Sequence, residues 1–283
     1  MKIGKLGTLA FLVLVRVCAQ QAAAQAATAP ASAPTPDPCA GLLNELNRPT
    51  VGYSACAVER GTAVLELGYQ HETLGAPPNT ASQTQLVQGF LRFGVAQRFE
   101  LDVVGPNIDV QRGSPGNADG FSDWGLGFKY ELPPAARWQV GLDGLYTSPS
   151  GGRAFTAGNA TYTANLDVAY QLTPATSIGT TLALASTGGF NVGGVHARYG
   201  TFIPSAVIVE RINDATQVYA EYVDVSRVAP DIGNRAFLDT GVQRLFGERF
   251  EFDAEFGHAL TGIPAMRFDY VGAGVGVLLG RYP

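Results

Sequence analysis

The stretch Phe121 to Leu132, FSDWGLGFKYEL, admits few folds. Trp124, Leu126, Phe128, Tyr130 and Leu132 alternate with Asp123, Gly125, Gly127, Lys129 and Glu131. A β-strand sends successive side chains to opposite faces, so one face is apolar and the other charged or bare. Phe250 to Gly257 repeats the pattern, with Phe250, Phe252, Ala254 and Phe256 set against Glu251, Asp253 and Glu255. The period does not say which face is inside.

The same alternation recurs along the chain. It predicts strands over Thr62–Glu72, Leu86–Val95, Phe99–Gly105, Phe121–Leu132, Trp138–Tyr146, Tyr162–Leu172, Ser177–Ala185, Tyr199–Glu210, Gln217–Val225, Ala236–Leu245, Phe250–Gly257 and Arg267–Leu279. In Tyr199–Glu210, Phe202 and Ile208 compete with Ile203 and Val207, so its facing stays open, and Pro204 sits inside it. In the last strand alternation blurs among glycines. Connections alternate between short turns and long polar loops, including 73–85 and Pro106 to Gly120. Twelve strands of this length with that loop alternation predict an all-β fold, a closed antiparallel transmembrane β-barrel.

A soluble β-sandwich shares the period but gives no reason for the loop alternation. Phe99, Tyr130, Trp138, Tyr170 and Phe250 fall beside the short turns on the apolar face, where an interfacial aromatic girdle belongs. Composition agrees: of 283 residues only 15% are charged, and 35 are glycine. The formal charge of −5 argues against a nucleic-acid partner. The expected partners are outer-membrane lipid and a small-molecule solute, with the chain a monomer in the cell outer membrane.

Residues 1–26 have the form of a signal peptide: Lys2 and Lys5, an apolar core Leu6 to Val17, then Ala24-Gln25-Ala26. Residues 27–38 form a Pro/Ala-rich linker. Export leaves Cys39 and Cys56, which are expected to pair as a disulfide worth on the order of 3 kcal/mol in the chain-entropy account. Residues 39–61 are then a disulfide-closed segment, either periplasmic or a plug, and 62–283 the barrel.

With the apolar face outward, the polar face lines the lumen. The expected lumen-lining residues are Glu66, Arg92, Asp102, Asp123, Lys129, Asp143, Asp167, Glu221, Asp239, Asp253 and Glu255, with Arg267 and Asp269 on the same parity. Glu100, Glu131 and Glu251 share that face near the short turns, where solvation is expected. Such a lumen suits cations or polar solutes, or else holds a static network of ion pairs and water. No HExxH or CxxC spacing points to metal, and no cofactor is expected. His71, His196 and His258 fall at strand tops or in long loops, which leaves an outer-membrane hydrolase as a minor alternative.

The GFSDWGLGFKYEL segment, the LRFGVAQRFELDV hairpin, and Cys39…NRPTVG…Cys56 followed by LELGYQ resemble an outer-membrane barrel family described as transporters of the meta-cleavage pathway of phenol degradation. The resemblance implies a Gram-negative outer-membrane protein that admits hydrophobic or aromatic small molecules. The resulting expectation is a channel for small organic solutes through a narrow polar lumen, not an enzyme. The alternative is an occluded barrel with a structural or surface-binding role.

Overall fold

The computed structural model describes residues 38–76, 79–113, 116–191, 193–261, 263 and 266–281. The expected signal peptide and nearly all of the linker lie outside the described residues. A membrane-crossing strand has no water for its amide groups, so an open sheet edge is costly and the sheet must close. Here β15 (Phe268–Arg281) returns to β1 (Thr62–Ala76) in antiparallel register from Thr62↔Arg281 to Leu74↔Phe268. Twelve strands complete the wall. After β1 come β3 (Phe90–Ala96), β4 (Phe99–Val104), β7 (Gly125–Glu131), β8 (Trp138–Thr147), β9 (Thr161–Gln171) and β10 (Thr176–Phe190). Then follow β11 (His196–Asn213), β12 (Thr216–Val225), β13 (Arg235–Phe246), β14 (Phe250–Ala259) and β15.

The apolar side faces out. Phe250, Phe252 and Phe256 are about half exposed, whereas Glu251, Asp253 and Glu255 between them are buried. Leu126, Phe128 and Tyr130 are exposed while Lys129 and Glu131 are buried. Burial also fixes β11: Phe202 and Ile208 are exposed and Thr201 and Ser205 buried, so Ile203 and Val207 point inward. Pro204 is tolerated just before Ser205, the first residue of β11 in register with β12. At the short turns Trp138 packs against Tyr170 with ring centroids 4.6 Å apart, and Phe99 stacks on Phe128 at 6.2 Å.

Two expectations need correction. The segments read as long loops at 73–85 and 106–120 carry further ladder: β2 (Asn79–Leu86), β5 (Ile108–Gly113) and β6 (Ala118–Phe121). Together they form a second tier in which β2 pairs with β1, β5 with β2 and β6 with β5. Their Gln, Thr and Ser side chains lack apolar alternation because the tier rises past the apolar band. For the same reason FSDWGLGFKYEL is not one strand. Phe121 ends β6, residues 122–124 belong to no strand, and β7 begins at Gly125. The second correction is Asp269, which lies outside with Arg267 because Phe268 and Tyr270 take the inner face.

An arginine on the lipid face is unpaired in hydrocarbon. Phe256→Arg on β14 should lower barrel stability in bilayers by roughly 2–4 kcal/mol, read by denaturant titration of refolded protein. An unchanged midpoint would contradict the outward assignment.

Candidate functional site: a plug seated in the lumen

Residues 38–60 fold inside the short-turn end of the barrel. Leu42–Glu45 makes a single helical turn, α1, and Cys39 is bonded to Cys56 across a Cα separation of 5.4 Å. Little else in this segment is regular, so most of its backbone amides have no partner within it. A buried amide without a partner costs about 1–3 kcal/mol. The wall supplies the partners.

Six plug amides donate to wall carboxylates. Asn47 and Arg48 donate to Glu66 at 3.1 and 2.8 Å, and Val51 and Gly52 to Glu221 at 2.8 and 2.9 Å. Ala57 donates to Glu131 at 3.1 Å and Val58 to Glu100 at 2.5 Å. The Tyr53 amide donates to Thr181 Oγ1 at 3.0 Å. Hydrogen bonds to charged groups are worth roughly 1.5–3 kcal/mol each. Glu100, Glu131 and Glu251, expected to be solvated, are instead buried on the inner wall; the first two take plug amides.

The wall's cations take the plug's carbonyls. Arg92 is fully buried, paired with Glu66 at 2.9 Å and Glu100 at 2.8 Å, and donates to the carbonyls of Glu45 and Cys56. Lys129 donates to Asn47 Oδ1 at 2.9 Å and the Ser54 carbonyl at 2.6 Å, beneath the Tyr53 ring. Arg48 reaches out from the plug to Asp253 at 3.2 Å, Glu255 at 3.5 Å and Gln88 at 2.8 Å. Leu42, Leu46 and Val58 pack with Val64 of β1 into a small apolar core, flanked by Leu245 and Leu278.

The bare positions of the inner face make room for this segment. A Cβ at Gly141 would lie 2.8 Å from the Ala55 carbonyl oxygen, and one at Gly276 2.7 Å from Leu46. At Gly94 it would collide with the carbonyls of Val58 and Glu59. Gly94, Gly141 and Gly276 are therefore close-approach sites for the plug.

The remaining expected lumen residues sit deeper or on the far wall. Asp102, Asp143, Asp167 and Asp239 are buried; Asn165 donates to Asp143, Thr181 to Asp167 and Tyr219 to Asp239. Asp123 is half-buried and accepts the amides of Gly151 and Ala157, tying down the β8–β9 loop. Toward the long-loop end the inner wall turns apolar, with Val223, Phe237, Ala259, Phe268 and Tyr270 packed together. Sequence reasoning did not pick out this patch. Phe237 shares the parity of Asp239 on β13, which was the available signal for that strand; on β15 the glycines hid it. The histidines are separate: His71 meets Thr84, His196 the Ala157 carbonyl, and His258 pairs with Asp269 on the outer surface.

The plug does not fill the lumen evenly. A cavity of about 140 Å³ remains between it and the wall of β8 to β13. An apolar exterior, a closed strand ladder and a polar lumen occupied by the chain's own N-terminal segment define an outer-membrane β-barrel fold with an internal plug.

No family model matches the chain, and no curated protein matches it in sequence. Its fold is similar to that of an outer-membrane channel from Pseudomonas putida F1, with TM-score 0.60 and 13% identity over 80% of this chain and 98% of that one. It is similar to the translocator domain of autotransporter NalP from Neisseria meningitidis, with TM-score 0.54 and 10% identity over 78% and 90%. The NanC porin gives TM-score 0.53 and 11% identity over 75% and 98%.

Two outcomes follow for the plug. Gly141→Leu should unseat it at a cost of roughly 1–3 kcal/mol, read as raised leak in planar bilayers; unchanged leak would deny the close contact. The Glu45 carboxyl is pushed up to about 7, chiefly by burial and against the opposing pull of Arg92. Its contribution to seating is complete below pH 4.5 and is lost as pH rises through about 7. Glu45→Gln should therefore flatten the rise in leak between these values; an identical pH profile would refute the assignment.

Proposed function

We propose that the protein is an outer-membrane channel for small organic solutes, in which the plug narrows the path. The carrying observation is that a hydrogen-bonded segment occupies the short-turn end of the lumen and leaves a cavity beside it. Twelve strands enclose less space than a sixteen-stranded porin, so passage is limited to small molecules. The fold likeness to a channel and a porin supports this reading. The finer assignment, hydrophobic or aromatic solutes of the phenol meta-cleavage type, rests on the family resemblance of the Phe121–Leu132, Leu91–Val103 and Cys39–Cys56 segments. The inward patch of Phe237, Phe268 and Tyr270 is compatible with it. Lipid around the exterior and a monomeric state belong to the same proposal.

A second reading is favoured by the density of plug contacts: an occluded barrel acting through its long loops. Solute flux into proteoliposomes separates the two. The channel reading expects measurable flux in the intact protein, increased when Cys39→Ser and Cys56→Ser loosen the plug. No flux in either form would leave the occluded barrel.

A further inference from the structure

The cavity beside the plug differs in charge from the rest of the lumen. Its wall side is built by β8 to β13 and its inner side by residues 38–56, and no carboxylate lines it among the described residues. Glu66, Glu100, Glu131 and Glu221 are turned to plug amides instead. The polar groups of the cavity are neutral glutamines, Gln139, Gln171, Gln217 and Gln243, interleaved with Val207, Val209 and Tyr53. Two guanidiniums border it. Arg48 is neutralised by Asp253 and Glu255. Arg211, on the exposed short-turn rim, donates to Asn44 Oδ1 at 3.2 Å and has no ion pair among the described residues. Gly52 and Tyr53, which line the cavity, are bonded to Glu221 and Thr181 of the wall. Gly52 is a tight seat, since a Cβ there would lie 2.5 Å from Ser205 Oγ.

We infer that this slot, between the plug and the β8–β13 wall, is a solute site that takes neutral or singly anionic organic molecules of about one ring and disfavours cations. The inference rests on the channel reading above and reverses the charge preference that the lumen carboxylates suggest in sequence. A carboxylate counts toward selectivity only where it faces the path, and none lines this slot among the described residues: four take plug amides, two meet Arg48, and Asp143, Asp167 and Asp239 are bonded to Asn165, Thr181 and Tyr219. The volume is of the order that admits a benzene-sized guest, about 150 Å³ in an engineered cavity. The glutamines hold polar substituents without setting a charge, and Arg211 puts one unpaired positive charge on the slot's lining among the described residues.

Three probes of one shape separate the charges: benzyl alcohol, benzoate and benzylamine, offered to proteoliposomes of the mature protein. Benzyl alcohol and benzoate should enter about tenfold faster than benzylamine, and Arg211→Glu should erase or invert the ratio of the two ions. Arg211 is exposed and its bond to Asn44 is at the surface, outside the buried wall–plug network, so the barrel fold does not depend on it. Location is tested on folded protein: Ser177→Cys, at the slot, is modified after reconstitution by a bulky thiol reagent, which should cut flux of all three probes. Faster benzylamine entry, or flux indifferent to thiol modification of the Ser177→Cys variant, would overturn the slot while leaving a channel in place. Flux of no probe in any form would instead remove the channel reading and the slot with it.

Discussion

Backbone amides set the terms of this structure twice. In the wall, every strand amide within hydrocarbon needs a partner on a neighbouring strand, and the β15–β1 pairing closes the ladder so that none is left at an edge. Closure creates a lumen, and the segment that enters it brings amides of its own without a ladder to join. Glu66, Glu100, Glu131 and Glu221 accept them. Carboxylates suit this role because each carries several acceptor sites and can take two amides at once, as Glu66 and Glu221 do. Arg92 then bridges Glu66 and Glu100, one cation to two carboxylates, and the amides of Asn47, Arg48 and Val58 share the charge that remains. The polar face of the strands is thus a socket before it is a pore.

The wall was largely legible in the sequence. Phe250 to Gly257 and Leu126 to Glu131 show their facing because lipid demands a clean apolar side, and period two survives wherever the strand meets lipid. It faded where that demand ends. The upper tier of β2, β5 and β6 is paired by backbone and by polar side chains, such as Gln83 with Asp109 and Arg112 with Asp119, so Gln83 to Gln85 and Asp109 to Arg112 read as loop. Asp269 was placed inside because the glycines of β15 carry no side chain to mark parity. Ambiguity in β11 had another origin: its inner face carries Ile203, Val207 and Val209, the last two against the slot, so both faces are apolar.

The socket was less legible than the wall. Glu66, Arg92 and Lys129 could be read as inward, yet nothing local reveals that their partners are amides and carbonyls of Glu45 to Val58. A carboxylate that receives a backbone amide carries the same sequence signature as one that faces water. The glycines were similarly ambiguous. Gly94 and Gly141 look like an empty face until the carbonyls of Val58, Glu59 and Ala55 are placed against them. Sequence marked the inner surface, and tertiary contact decided what it holds.

The Cys39–Cys56 bond has a mechanical meaning. Tension applied at Pro38 passes through the sulfur bridge to Cys56 and then, six residues on, into Thr62 of β1, which is locked to β15. The intervening loop, with its contacts to Glu66, Glu221 and Thr181, lies off that load path. A pull on the N-terminal end therefore tightens against the barrel wall without unthreading the loop. While the bridge is intact, such a plug yields to a sideways push or a small local shift, not to traction.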